Sequence, residues 1–454
     1  MVKGPEIQTT GLVVFPEVLD RFPGNLAEKH LAVHAGVQRG YLKQKEVGFY
    51  ANETDQAWEE AVSHNPLLAA NNTLVRRGEW WDNYRLKAVS LRDGGFGRIF
   101  DHIADGLMEI RRAAATLPEG SLIVDQARIL EIGFRTGETD TAMERFLNLR
   151  RHPKYGIWVG LLDRLLDKKR NLKFALQGWS TEQHEDLSQS FNFWSKVVLR
   201  GVGRLGYNDF LFTDAAIQSG LATERIWQGN TQPSQPEIAD RVGHLINFFD
   251  NVSAWKTARD VEPRLRVITP EQMLDRIRRE TLDRVRRAFL AGHEVGHAAQ
   301  IIPIGADLRL GSWFQVIKET YAESFADFSI IKHPEIVLSR GQVIPGIYFG
   351  LARAHALIDE HVEKITRGEV EGDIINPYSY AAATKINTLL SAGAVLRNSA
   401  GMYQIEDPNQ IREAITKYYH EEVDPIVESG SQAQAEDFIM ERSSHPIDFL
   451  RPVA

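Results

Sequence analysis

Ala288–Gln300 reads AFLAGHEVGHAAQ, and Lys318–Asp327 reads KETYAESFAD. In the first stretch His293, Glu294 and His297 form H-E-x-x-H. Residues four apart on a helix share one face, about 6 Å apart along the axis. Two imidazoles at that spacing can grip one zinc ion, and Glu294 can reach a water on the metal. A zinc site that does chemistry needs a third protein ligand and one open position. The second stretch can supply the ligand, because Glu319, Glu323 and Asp327 are spaced by four and fall on one face of a second helix. Three carboxylates on one solvent-facing stripe would repel, whereas beside a divalent cation they make sense. One is expected to bind the metal and another to hydrogen-bond a ligand histidine. Gly292, Gly296 and Ala298 flank the histidines and are expected to leave room for the ion.

Composition narrows the field. The chain has 454 residues, enough for two or three domains with a substantial core. Hydrophobic residues at 43% and charged residues at 25% are ordinary for a soluble globular protein. The net charge of −8, with no basic tract, gives no support to a nucleic-acid groove. Cysteine is absent, so any metal must sit on histidine and carboxylate. The opening MVKGPEIQTTGLVVFPE does not read as a signal peptide, and no apolar run approaches the ~18 residues of a membrane span. A cytoplasmic protein with no membrane partner is expected.

Most of the chain reads as helix. The pattern predicts helices over Asn25–Lys43, Thr54–His64, Glu79–Leu91, Phe96–Leu117, Asp140–Leu149 and Tyr155–Lys169, the last with a basic end at Asp167–Arg170. Strand-like pieces are few: Thr10–Phe15, Leu122–Val124, Lys173–Leu176, Asp209–Thr213 and Arg264–Ile268. Trp80, Trp81 and Tyr84 read as packing aromatics. Gly229–Pro236 gives the best linker signal, and a helix is expected over Glu237–Phe249. Thr269, Pro270 and Gln272 resemble a helix cap, from which a long helix with a solvated arginine face should run over Arg276–Arg287 toward His293. The expected architecture is mainly α with minor β and two lobes. Residues 1–236 form an N-terminal helical lobe, and 237–454 form a C-terminal lobe carrying a zincin-like metal site on helices.

The second stretch also carries a resemblance. Glu319-Thr-Tyr-Ala-Glu323 looks like the E-x-x-A-[DE] element that follows the zinc-binding helix in the dipeptidyl peptidase III family of metallopeptidases. The later run from Tyr378 to Gly393, with its L-L-x-x-G ending, resembles that family's next helix. The resemblance covers roughly residues 285–395. It implies that Glu319 is the third zinc ligand, which leaves Glu323 and Asp327, by the spacing of the acidic stripe, as the expected supporting acids. It also implies that Tyr378 takes the place of a histidine that assists catalysis in the family. The family's best-known members insert one residue in the histidine motif, where this chain has the shorter form.

The expected function is that of a zinc-dependent hydrolase. In it a metal-activated water attacks an amide or peptide carbonyl, and Glu294 acts as general base. Tyr378 is the first candidate to stabilise the oxyanion, followed by Tyr380, His355 and Arg353. His333 and His361 read as surface or capping residues. The expected substrate is a short peptide or a small molecule. A second reading keeps the scaffold and the zinc but turns them to lyase, isomerase or cyclising chemistry on a small molecule.

Overall fold

The computed structural model describes residues 4–46, 97–149, 151–166, 172–204 and, with short interruptions, 208–443. The helices expected over Thr54–His64 and Glu79–Leu91, the group of Trp80, Trp81 and Tyr84, and the basic end Asp167–Arg170 lie outside the described residues. Helix predominates over strand, so the mainly α class with minor β holds. Packing groups the chain into two compact units: Lys3–Gln189 with Gly206–Val252, and Ser190–Leu205 with Ser253–Ala454.

The first unit holds one seven-stranded sheet: β1 (Glu6–Ile7), β2 (Val13–Val14), β3 (Tyr155–Leu166), β4 (Leu172–Ser180), β5 (Asn208–Gly220), β6 (Gly229–Gln232) and β7 (His244–Phe249). Strand β5 is buried along its whole length because it is shared. Its first half pairs in parallel with β7, and its second half runs antiparallel to β4 and β2. Helix α1 (Leu26–Glu46) packs on β5, α2 (Gly97–Ala114) packs on α1, and α3 (Ser121–Thr136) on α2. The expected helices at Asn25–Lys43, Phe96–Leu117 and Asp140–Leu149 are observed within a few residues of those bounds.

Five segments correct the sequence reading. Tyr155–Leu166 is a strand rather than a helix, because it pairs with β4 in a long antiparallel hairpin. Leu122–Val124 belongs to helix α3, where Ile123, Ala127, Leu130 and Phe134 form a buried stripe at helical spacing. The helix expected over Glu237–Phe249 gives way to β7, whose run HLINFF, buried from Leu245 onward, pairs on both sides, with β5 and β6. Part of the expected linker is itself strand β6. Arg264–Ile268 is helical, within α4 (Glu262–Ile268): Pro263 suits a first turn, and Leu265 and Ile268 turn inward together.

The second unit is a helical assembly around the two stretches quoted first. After α4 the expected cap at Thr269 opens only a short turn of helix, Glu271–Leu274, without a side-chain cap bond. The long helix begins later, as α5 (Arg279–Ala299). Its arginine face is not wholly solvated, because Arg286 is buried against the Ser253 hydroxyl and lies 3.4 Å from Asp283. Next come α6 (Trp313–Lys332), α7 (Val343–Thr366) and α8 (Pro377–Ser391), then a small hairpin of β8 (Leu396–Arg397) and β9 (Tyr403–Gln404). Helix α6 is buried nearly all round, packed against α5, α7 and α8 and the helices Pro408–Lys417 and Gln432–Ser443. A helix in that position is the unit's core, and polar residues on it must find partners there. No helix among the described residues is long and apolar enough to cross a membrane.

Candidate metal centre

The geometry of the centre follows from how closely α5 and α6 approach. A Cβ on Gly292 would lie 3.0 Å from the Ala326 Cα, and one on Gly296 would lie 2.9 Å from the Ala322 Cα. Two glycines four apart on α5 thus face two alanines four apart on α6, and the backbones close to a distance that larger residues forbid. The room these glycines leave is filled by α6 itself, which corrects the expectation that they make space for an ion. Close approach brings the acidic face of α6 up to the histidine face of α5.

His293 Nε2 lies 3.5 Å from Glu319 Oε2, and His297 Nε2 lies 3.7 Å from the same oxygen. The two rings stand nearly perpendicular, 4.9 Å between centroids. One ligand atom from each of His293, His297 and Glu319 falls within 4.8 Å of the others, an arrangement that could hold a metal ion. Metal–ligand bonds of about 2.05 Å in tetrahedral array place neighbouring ligand atoms about 3.4 Å apart. The two observed nitrogen-to-oxygen distances are close to that edge. Burial, followed by the charges of Arg353 and Lys385, holds the His293 imidazolium well below its ordinary pKa, so the ring is neutral and its lone pair available. Two imidazoles and a carboxylate without thiolate suit zinc or a similar divalent ion. The donor set fits the metal that the motif implies.

The site is closed behind and open in front. His293, Glu319 and Glu323 are buried, whereas the His297 side chain is 17% exposed and Glu294 is partly exposed. Glu319 Oε1 accepts a hydrogen bond of 2.8 Å from the Gln315 amide one turn earlier, which fixes the carboxylate's orientation.

The other two acids of the stripe part company. Glu323 Oε1 lies 3.2 Å from His293 Nδ1 and is also paired with the Arg353 guanidinium from α7. It is therefore placed to orient the ring from the side opposite Glu319. Asp327 does not approach a histidine. It forms an ion pair of 2.6 Å with Lys385 from α8, which corrects its expected place beside the imidazoles. Burial raises the Asp327 carboxyl pKa and lowers that of the Lys385 ammonium, and each partner opposes the other's shift.

Arg353 gathers the remaining groups. Burial lowers its pKa to about 10, against the opposing pull of Glu319, Glu294 and Tyr378, so these three side chains all stand near its charge. It remains cationic at neutral pH. Tyr378 is half-buried in the first turn of α8, where the Asn376 side chain caps the helix by accepting from the Tyr378 backbone N–H at 3.1 Å. His355 is turned elsewhere: its Nε2 meets the Tyr403 hydroxyl at 2.8 Å, which makes it a support of the β8–β9 hairpin. Tyr380 sits edge-on to Trp313, with ring centroids 5.9 Å apart.

Sequence reasoning missed Lys385, the hold of Arg353 on Glu323, and Gln315. Gln315 was readable, four residues before Glu319. Lys385 carried a faint signal as the one charge in the run Ala381–Leu390.

No family model matches the chain, and no curated protein matches it in sequence. Its fold is similar to that of several solved structures, among them two DPP III chains. One is DPP III from Caldithrix abyssi, with a TM-score of 0.59 at 15% identity, covering 79% of this chain and 70% of that one. The other is dipeptidyl-peptidase III from Corallococcus sp. strain EGB, with a TM-score of 0.60 at 14% identity, covering 79% of this chain and 68% of that one. At such identities the likeness is one of fold, and the fold of this chain is DPP III-like.

Proposed function

We propose that this chain is a zinc-dependent hydrolase resembling dipeptidyl peptidase III, with His293, His297 and Glu319 holding the metal and a short peptide as substrate. The observation that carries the reading is the convergence of these three side chains beside a partly exposed Glu294. The DPP III-like fold supports it, because both neighbours bear the name of a dipeptidyl peptidase.

Zinc bound there would lower the pKa of a water to about 7 and polarise a carbonyl. Glu294 accepts the proton of the attacking water and passes it to the departing amine, a transfer worth roughly 10²–10⁴-fold in rate. Tyr378 donates its phenolic hydrogen to the carbonyl oxygen as negative charge develops, with the Arg353 cation behind it. Glu323 orients His293, and Arg353 fixes Glu323 in turn.

The test is metal analysis followed by Glu294→Gln. Zinc should stay bound at one equivalent per chain. Release of amino-terminal dipeptides from a library of short peptides should drop by roughly 10²-fold or more. A chain that binds no zinc, or a Glu294→Gln variant as active as the parent, overturns the reading.

Tyr378 favours a second reading. A tyrosine stands where the resemblance puts a proton-transferring histidine, and a phenol is a poorer proton shuttle near neutral pH. A zinc enzyme of lyase, isomerase or cyclising type on a small molecule would meet that limit. It predicts zinc binding without release of dipeptides.

A further inference from the structure

The buried pair Asp327–Lys385 touches all four helices that carry the site. Lys385 Nζ lies 2.6 Å from Asp327 Oδ2, with side chains 1% and 0% exposed. The same ammonium lies 4.5 Å from the centroid of the Phe289 ring on α5. On α7 a Cβ at Gly350 would lie 2.9 Å from both Asp327 Oδ1 and Lys385 Nζ, and 2.4 Å from Phe289, so the glycine backbone is pressed against the pair. Each contact is one or two helical turns from a site residue: Phe289 from His293, Asp327 from Glu323, Gly350 from Arg353 and Lys385 from Tyr378.

Such a fixture suits the first half of helix α8, because its large buried side chains, Ile386 and Leu389, come only after Lys385. Between Tyr378 and Lys385 its buried residues are Ser379, Ala381, Ala382, Ala383 and Thr384, all small. Small side chains let helices approach closely, but they interlock weakly, and a shift along the axis meets little steric resistance. Each residue of shift would carry Tyr378 about 1.5 Å along the axis. A buried ion pair adds little to stability over an apolar pair of similar volume, and fixing one packing register is its best-attested use.

We propose that the Asp327–Lys385 pair is a positioning device that sets how far α8 is advanced along α6, and thereby where Tyr378 stands relative to Glu294 and Arg353. The role of Tyr378 in this statement rests on the hydrolase reading, whereas the register of α8 does not.

The test uses the full zinc-loaded chain, with Asp327→Leu and Lys385→Met made together so that no charge is left buried alone. The paired variant should fold and bind zinc as the parent does. Its kcat for cleavage of tetra-alanine should fall roughly 10–100-fold at little-changed KM, the scale of an ångström-sized misplacement. In a Tyr378→Phe background the same two changes should cost nothing more. A crystal structure should show α8 shifted along α6. Undiminished kcat in the paired variant, or losses that multiply independently of Tyr378, overturns the proposal. Should the paired variant fail to fold, Asp327→Asn keeps the shape and weakens the pairing, and it should give the same signature at smaller size. If the parent cleaves no peptide, the hydrolase reading fails by itself. The register claim is then decided by the crystal structure alone, and an unmoved α8 refutes it.

Discussion

Three carboxylates on one face of α6 meet three kinds of partner. Glu319 faces two imidazole nitrogens, Glu323 an imidazole and a guanidinium, and Asp327 an ammonium. All three lie in a buried stripe, where each charge requires a specific counterpart. The spacing of four was visible in the sequence and gave the shared face. The counterparts were not, because Arg353 and Lys385 lie on later helices and only tertiary packing selects them. His355 teaches the same lesson in reverse: it stood among the candidates for stabilising the oxyanion, yet its ring serves the β8–β9 hairpin. Burial lowers its pKa from 6.5 to about 4, so the folded chain holds it neutral. Between those values the unfolded state binds the extra proton, and stability rises with pH. The contribution is therefore complete above about pH 6.5 and is lost as pH falls toward 4; the full gap corresponds to about 3 kcal/mol. His355→Gln keeps an acceptor for the Tyr403 hydroxyl and cannot titrate. Urea unfolding midpoints should therefore fall less steeply between pH 6.5 and 4 in the variant than in the parent. Parallel curves would show that His355 titrates normally.

At the scale of elements, the sequence was clear where a segment's own period matched its surroundings and opaque where pairing decided. Helix α2 announces itself through Ile103, Leu107 and Ile110, all buried on one face. Tyr155–Leu166 and His244–Phe249 could not be assigned this way, since continuous apolar runs suit a buried strand as well as a buried helix. Their identity comes from distant partners, β4 and β5. The contact of α5 with α6 is different again, for its glycines were visible but their purpose was not. Adding a methyl at an exposed helical glycine stabilises by roughly 0.4–1 kcal/mol. At Gly296 the methyl would meet the backbone of Ala322 at 2.9 Å, and overpacking of that kind costs about 1–3 kcal/mol. The clash should win. Gly296→Ala should therefore lower stability by about 1 kcal/mol and weaken zinc binding by roughly tenfold or more, because the spreading of α6 carries Glu319 away from both imidazoles. Gly201→Ala is the control: nothing lies within 4 Å of its Cβ position, so stability should hold or rise. Competitive titration against a chromophoric chelator measures the affinities. Equal zinc affinity in the Gly296→Ala variant would show that the helix spacing does not set the site.

At the scale of the whole molecule, the metal is an argument about stability as well as about chemistry. The core helix α6 carries Glu319, Glu323 and Asp327 among its buried residues, and a divalent cation bound only by the folded state must favour that state. With free zinc at a thousand times its dissociation constant the gain is about 4 kcal/mol, and for a chain of 454 residues each kcal/mol raises the melting temperature by roughly 1 °C. Adding zinc to chelator-treated protein should therefore raise the melting temperature by about 4 °C, and a chelator should reverse it. Hydrogen exchange gives the location: protection should increase most in Arg279–Ala299 and Trp313–Lys332, the helices whose side chains converge. His293→Ala should abolish both responses, because two remaining ligands bind zinc far more weakly than three. A melting temperature indifferent to zinc, or protection gained elsewhere, would mean that the three converging side chains do not hold the ion in solution.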